Sequence, residues 1–131
     1  MRTAVDILIV FLGWLYIGAC APQTPVEVHS VDASVFSKVI ENSNAQILDV
    51  RTRGEFLKGH LPNAINIDIK SNTFNETART LLDVDRPVAL YCQSGKRSRI
   101  AAGILLDMGY EVYELQGGVA GWQGPVSYSL Q

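Results

Sequence analysis

The sequence predicts an α/β fold in which helices cover both faces of a mostly parallel sheet. Short apolar segments alternate along the chain with longer segments whose apolar residues recur at about the helical period. Gly, Pro and Asn residues that favour turns separate many of these segments. The chain has 131 residues, of which 47% are hydrophobic and 18% charged, so it can bury one core of ordinary composition.

Three short strands and two helical segments are predicted in the first half of the domain. Ser30 or Asp32 can cap the first helix, because its side-chain oxygen can accept a bond from a free backbone N–H group. Gly59 ends the second helix, and Pro62-Asn63 forms a turn in which Asn tolerates left-handed dihedral angles. The predicted strands are 26–29, 47–50 and 64–67. The predicted helices are 53–58 and one that follows residue 32, whose apolar face carries Val35, Phe36, Val39 and Ile40.

Two further strands and two longer helices are predicted in the second half. Apolar, β-favouring content over four residues indicates buried strands at 88–91 and 112–115. Gly109 ends the longer helix, and a terminal turn covers residues 118–122. The predicted helices are 75–82, with Ala78, Leu81 and Leu82 inward, and 98–108, with Ile100, Ile104, Leu105 and Met108 on the apolar face.

Cys92 ends one predicted strand and begins a tight loop that leads into a helix, which is where ligands bind in open α/β sheets. The free N–H groups of a helix start and nearby cations lower the pKa of a thiol. Lys96, Arg97 and Arg99 supply those cations, and Gly95 allows the backbone N–H groups to converge on an anion. We therefore expect Cys92 to be a nucleophilic thiolate rather than a buried structural cysteine.

The chain resembles the rhodanese-like sulfurtransferases in three segments that follow one another in the family's order. Cys92-Gln-Ser-Gly-Lys-Arg97 matches the active-site loop pattern C-x-x-G-x-R. Leu48-Asp-Val-Arg51, Glu55-Phe56 and Gly59 to Asn66 resemble the N-terminal signature, although Asn63 stands where the family usually has Gly. Residues 115–122, Leu-Gln-Gly-Gly-Val-Ala-Gly-Trp, resemble the C-terminal signature.

This resemblance implies a rhodanese-like, three-layer fold with five mostly parallel strands, and a thiosulfate sulfurtransferase activity that needs no cofactor. Cys92 would take the outer sulfur of a small anion such as thiosulfate as a persulfide, and cyanide or a thiol would remove it. The backbone of the loop would hold most of the substrate's charge. The expected substrate-binding residues are Gln93, Ser94, Gly95, Lys96, Arg97 and Ser98.

Two other functions remain open from the sequence. Cysteine phosphatases and arsenate reductases share this layout but use the spacing C-x5-R, whereas Arg97 stands at C-x4-R and no general-acid Asp follows in the loop. A non-catalytic binding module is the other alternative, although inactive rhodanese-like domains typically lack the cysteine that is present here.

Several charged residues near the loop have simpler interpretations than catalysis. We expect Arg97 to turn inward, brace the loop and supply charge to the bound anion. Asp49, Arg51 and Glu55 are expected to pair with each other and with the backbone, and His60 is expected to be structural. No metal-ligand spacing is present, and the net charge of −2 gives no indication of nucleic-acid binding.

The first 25 residues predict a signal peptide and a lipid anchor. Residues 7–19 form an uncharged, apolar segment that is too short to span a bilayer but typical of a signal-peptide core. Ile17-Gly-Ala-Cys20 resembles a bacterial lipobox, so we assign 1–19 to the signal, Cys20 to lipidation, 20–25 to a tether and 26–131 to the domain. This predicts a periplasmic, membrane-anchored protein, and Ala21 favours the outer over the inner membrane.

Overall fold

The fold is known from a computed structural model that describes residues 18 and 27–128. The predicted signal segment, Cys20 and the tether at 20–25 lie outside the described residues. The strands are β1 (Val28–Val31), β2 (Gln46–Asp49), β3 (Ile65–Asn66), β4 (Val88–Tyr91) and β5 (Val112–Leu115). The helices are α1 (Ala33–Asn42), α2 (Arg53–Leu57), α3 (Phe74–Leu81) and α4 (Lys96–Asp107), followed by a 3-10 turn at Val119–Gly121.

The five strands form one sheet in the order β1-β5-β4-β2-β3, and every neighbouring pair is parallel. Helices cover both faces of the sheet. Parallel strands need crossover connections that return the chain to the end where the previous strand began, and helices in these connections pack on the faces. The predicted α/β class with five parallel strands is therefore confirmed. Strand β4 lies at the centre of the sheet, so its carboxyl end, where Cys92 follows, is supported by strands on both sides.

Two hydrophobic layers hold the helices on the sheet. On one face α3 and α4 pack through Phe74, Ala78, Ala101, Ala102 and Leu105 against β2, β4 and β5, and Cys92 belongs to this layer. On the other face, α1 and α2 contribute Phe36 and Phe56, which lie in one layer with Tyr91, Leu61 and Leu115.

The helix boundaries follow local signals. The carboxylate of Asp32 accepts a bond from the backbone N–H of Val35 at 2.9 Å, so Asp32 is the cap of α1. Thr52 and Glu55 form a reciprocal capping box at the start of α2. Asn63 has φ = 64° in the predicted turn, a left-handed conformation that Asn tolerates better than most residues.

Three residues predicted on the apolar faces of helices are exposed instead. Val35 is 42%, Leu81 50% and Ile100 61% exposed, so all three lie toward the solvent side of their helices. The face of α4 that meets the sheet carries Ala101, Ala102 and Leu105, because small side chains allow the helix to lie close to the strands. No helix in the part of the chain that the structure describes is long and apolar enough to cross a bilayer.

Candidate active site

Cys92 lies at the base of a short loop between β4 and α4. Helix α4 begins at Lys96 rather than at the predicted residue 98. Only Gln93, Ser94 and Gly95 therefore lie between Cys92 and the helix. Gly95 is the cap residue and has φ = 102°, a left-handed conformation that glycine adopts without strain. This conformation turns the chain so that the N–H groups of the loop point back toward the sulfur.

The sulfur of Cys92 is a hydrogen-bond acceptor for these amides. The backbone N–H of Gly95 donates to Sγ at 3.0 Å. Burial raises the pKa of the Cys92 thiol, but the hydrogen bond with the side chain of Ser98 and those from the amides of Ser98, Gly95 and Ser94 outweigh this effect. The net result is a pKa below the usual value, in agreement with a thiolate that forms readily.

Access to the sulfur is narrow. Cys92 is only 1% exposed, whereas Gln93, Ser94 and Lys96 around it are exposed. A reactant must therefore approach along the axis of the loop, where the opening favours a small group. The positive ends of the loop amides and the charge of Lys96 attract anions to this opening.

Both terminal nitrogens of Arg97 bond to Glu55. Its Nη1 and Nη2 atoms each donate to one carboxylate oxygen of Glu55 at 2.8 Å, which fixes the first turn of α4 to α2. The bond from Arg97 lowers the pKa of Glu55 well below its usual value. Arg97 thus braces the loop through Glu55, and its charge also interacts with that of Cys92, so its contact with a bound anion stays a prediction.

A second ion pair lies under the loop. Asp49 and Arg51 are both buried, and Arg51 Nη2 donates to Asp49 Oδ2 at 2.6 Å. Arg51 also donates to the carbonyl oxygen of Gly59 at 2.7 Å and to the side chain of Gln93 at 3.2 Å. The predicted pairing of Asp49 with Arg51 is thus present, but Glu55 pairs with Arg97 and with the backbone of Thr52.

His60 packs as part of the core. Its Nδ1 atom contacts the carbonyl oxygen of Phe56 at 2.9 Å, and its ring stacks on that of Phe56 with the centroids 3.6 Å apart. Its backbone exchanges hydrogen bonds with Ser127. These contacts are those of a residue that positions the chain, as the sequence led us to expect.

The segment after β5 supports the loop from outside. The N–H of Val119 donates to the carbonyl oxygen of Cys92 at 2.9 Å, and the N–H of Ala120 donates to that of Gln93 at 3.1 Å. Gly118 lies so close to this backbone that a Cβ atom would stand 2.7 Å from the carbonyl oxygen of Cys92. The Gly-Gly signature near the carboxyl end of the chain is therefore a support for the active-site loop.

Sequence reasoning missed one buried acid in this region. Glu114 is 1% exposed, and its two carboxylate oxygens accept hydrogen bonds from Ser98 and Ser30, each at 2.7 Å. A carboxylate inside an otherwise apolar strand was the available signal, because a buried charge requires partners. Without the fold, however, nothing placed Ser98 and Ser30 beside it.

The comparisons with known proteins agree on the family. The sequence pattern of the family described as rhodanese-like domain matches residues 32–125. The uncharacterized protein YibN of Escherichia coli K12 is 34% identical over 92 residues, which are 67% of this chain and 62% of that protein. The tRNA uridine(34) hydroxylase of Chlamydia trachomatis is 31% identical over 108 residues, which are 76% of this chain but 32% of that enzyme.

Solved structures show the same fold. A rhodanese-related protein from Thermoplasma volcanium superposes with a TM-score of 0.68 at 29% identity, covering 77% of this chain and 99% of that one. The Alr3790 protein of Anabaena gives a TM-score of 0.67 at 29% identity, covering 76% of this chain and 83% of that one. With its parallel sheet and its cysteine loop at the end of the central strand, this chain belongs to the rhodanese-like domain family.

Proposed function

We propose that the protein is a sulfurtransferase that carries a sulfane sulfur on Cys92. The observation that carries this proposal is the group of loop amides around a sulfur whose pKa is lowered despite burial. Such amides stabilise a negative charge on the attached sulfur of a persulfide as well as on the thiolate. Gly95 and Ser98 form the base of this site, and the exposed Gln93, Ser94 and Lys96 form its rim.

The reaction has two steps that return the enzyme unchanged. The Cys92 thiolate attacks the outer sulfur of a donor such as thiosulfate, the donor's S–S bond breaks, and its electron pair leaves with sulfite. An acceptor, cyanide or a thiolate, then attacks the outer sulfur of the persulfide, and the electron pair of that bond returns to Sγ. The narrow opening suits such a transfer, because only one terminal sulfur atom has to reach Cys92.

The geometry disfavours transfer of a phosphoryl or arsenyl group by the same cysteine. A tetrahedral oxyanion needs several donors, and an arginine commonly supplies two of them in a bidentate pair. Here both terminal nitrogens of Arg97 bond to Glu55. The six-residue loop, Cys92 to Arg97, also leaves little room above the buried sulfur.

Mass spectrometry of the intact protein tests the proposal directly. After incubation with thiosulfate, we expect a gain of one sulfur atom that maps to the peptide containing Cys92 and that disappears on addition of cyanide. The Cys92→Ser variant should gain nothing. An unmodified thiol together with cysteine-dependent hydrolysis of an aryl phosphate would instead indicate a phosphatase, and neither activity would indicate a binding module.

We also propose that the mature protein is attached to the periplasmic side of the bacterial envelope, in the outer membrane, through a lipid on Cys20. The lipobox-like Ile17-Gly-Ala-Cys20 and the preceding apolar segment support this location. Cells fed an alkyne-tagged fatty acid should label the wild-type protein and should not label Cys20→Ser, with Cys92→Ser as the matched control. Equal labelling of wild type and Cys20→Ser would refute the anchor.

A further inference from the structure

Ser98 connects the reactive sulfur to the buried carboxylate of Glu114. The oxygen Oγ of Ser98 lies 3.4 Å from Cys92 Sγ and 2.7 Å from Glu114 Oε1. Cys92, Ser98 and Glu114 are each at most 1% exposed, so these contacts are shielded from bulk water. The three side chains come from the end of β4, the first turn of α4 and the middle of β5.

A hydroxyl group carries one proton, and this limits what Ser98 can do. It can donate to Glu114, to Cys92 or to the carbonyl oxygen of Gly95, which lies at 3.1 Å. The charged acceptor at the shortest distance binds that proton most strongly. When Glu114 is a carboxylate, Ser98 therefore donates to it and can only accept from the thiol S–H of Cys92.

We propose that Glu114 is a positioning residue that shares one proton with Cys92 through Ser98 and so sets how readily the thiolate forms. In one arrangement the thiol donates to Ser98 and Ser98 donates to the Glu114 carboxylate. In the other, the thiol proton has moved to Ser98 and the Ser98 proton to Glu114, which leaves a thiolate that accepts from Ser98. Each arrangement satisfies all three groups, and no proton has to enter from solvent.

This proposal rests on the proposed sulfur transfer for its role in the reaction. When Cys92 attacks a donor, its proton moves through Ser98 to Glu114. When the acceptor takes the outer sulfur, the S–S electron pair returns to Sγ, and the proton on Glu114 moves back through Ser98 to that sulfur. Glu114 thus accepts a proton in the first step and returns it in the second.

Groups other than Ser98 also act on the charge of Glu114. Ser30 of β1 donates to its second oxygen, and Leu90 is its apolar neighbour on β4. Glu114 and the α4 residue Arg99 line one cavity of about 240 Å³. The other residues that line this cavity are Ser30, Gly95, Gln116 and Gly117. On the other side of the loop, Arg97 is bonded to Glu55 but is close enough to interact electrostatically with Cys92.

The test measures the rate of alkylation of Cys92 by iodoacetamide against pH in Cys20→Ser protein, with the thiolate absorbance recorded in parallel. In Glu114→Gln the amide can donate to Ser98, which frees the Ser98 proton for the sulfur, and a buried negative charge is removed. We expect the alkylation profile to shift to lower pH, with alkylation at about pH 6 roughly three- to tenfold faster. Glu111→Gln, the same change at an exposed site nearby, should leave the profile unchanged.

A double-variant cycle separates the relay from a simple effect of charge. In the Ser98→Ala background, Glu114→Gln should lose at least half of its effect, whereas Ser98→Thr should retain it. An unchanged profile in Glu114→Gln, or an equal effect in both backgrounds, would overturn the proposal. If Glu114→Gln does not fold, the same comparison is made with Glu114→Asp in the Ser98→Ala and Ser98→Thr backgrounds, because only a hydroxyl can carry the proton. Neither the alkylation rate nor the thiolate absorbance depends on sulfur transfer, so both measurements remain valid if thiosulfate leaves Cys92 unmodified.

Discussion

Replacing Gly118 by alanine is expected to destabilise the protein by about 3–5 kcal/mol and to slow persulfide formation at least tenfold. Gly118 has φ = 66° and ψ = −167°, a region that is essentially restricted to glycine. A methyl group there would also overlap the carbonyl group of Gln93. The segment must then move away, and the bonds from Val119 and Ala120 to the loop are lost.

Two other glycines of the same segment provide controls for Gly118→Ala. Gly117 has φ = 75°, but a Cβ atom added there would meet no atom beyond the adjacent residues within 4 Å. Gly117→Ala therefore measures the cost of the dihedral angle alone. Gly121 has open space and no positive φ, so Gly121→Ala should change little. Urea unfolding gives the free energy of unfolding of each variant, and the rate of sulfur uptake from thiosulfate gives its rate of persulfide formation. A loss in Gly118→Ala no larger than that in Gly117→Ala would contradict the proposed clash with the loop.

Replacing Asp49 by alanine is expected to cost about 3–5 kcal/mol of unfolding free energy, because it leaves the guanidinium of Arg51 buried without its partner. Arg51 is 4% exposed and bonds to both carboxylate oxygens of Asp49. The same guanidinium holds the side chain of Gln93 at the loop. We therefore expect slower persulfide formation in addition to the loss of stability.

The midpoint and slope of urea unfolding check the Asp49 prediction. Asp85→Ala removes an aspartate at an exposed position and should change the free energy of unfolding by less than about 0.5 kcal/mol. The double variant Asp49→Ala, Arg51→Met removes both charges, and we expect it to recover part of the loss. If Asp49→Ala is as stable as Asp85→Ala, the buried pair does not have the role given to it here.

The sequence determined which segments would be strands and helices wherever the local pattern was strong. The segments 88–91 and 112–115 are strands with the predicted bounds, because each is a short apolar segment between turns. Asp32 caps α1 as one of the two predicted candidates, because capping depends on a side chain and the backbone three residues away. The position of Cys92 at the end of a strand and before a helix follows from the same local rules.

The faces of the helices were less predictable. The apolar Ile100 and Leu81 were expected inside and are exposed, whereas Ala101, Ala102 and Ser98 are buried on α4. Hydrophobic periodicity indicates which face of a helix is buried only when apolar side chains outnumber polar and small ones on that face. Here the close approach of α4 to the sheet selects small residues, and that distance is a property of the packed domain.

The sequence by itself therefore determined the fold class, the family and the position of the candidate catalytic cysteine, because these depend on local pattern and on residues adjacent in the chain. Only the tertiary structure decided which polar side chains meet: Arg97 with Glu55, Arg51 with Asp49 and Gln93, and Ser98 with Glu114. Ser98 and Glu114 are 16 positions apart and lie on different elements. Their contact exists because α4 packs across β5, and no local rule of spacing contains that information.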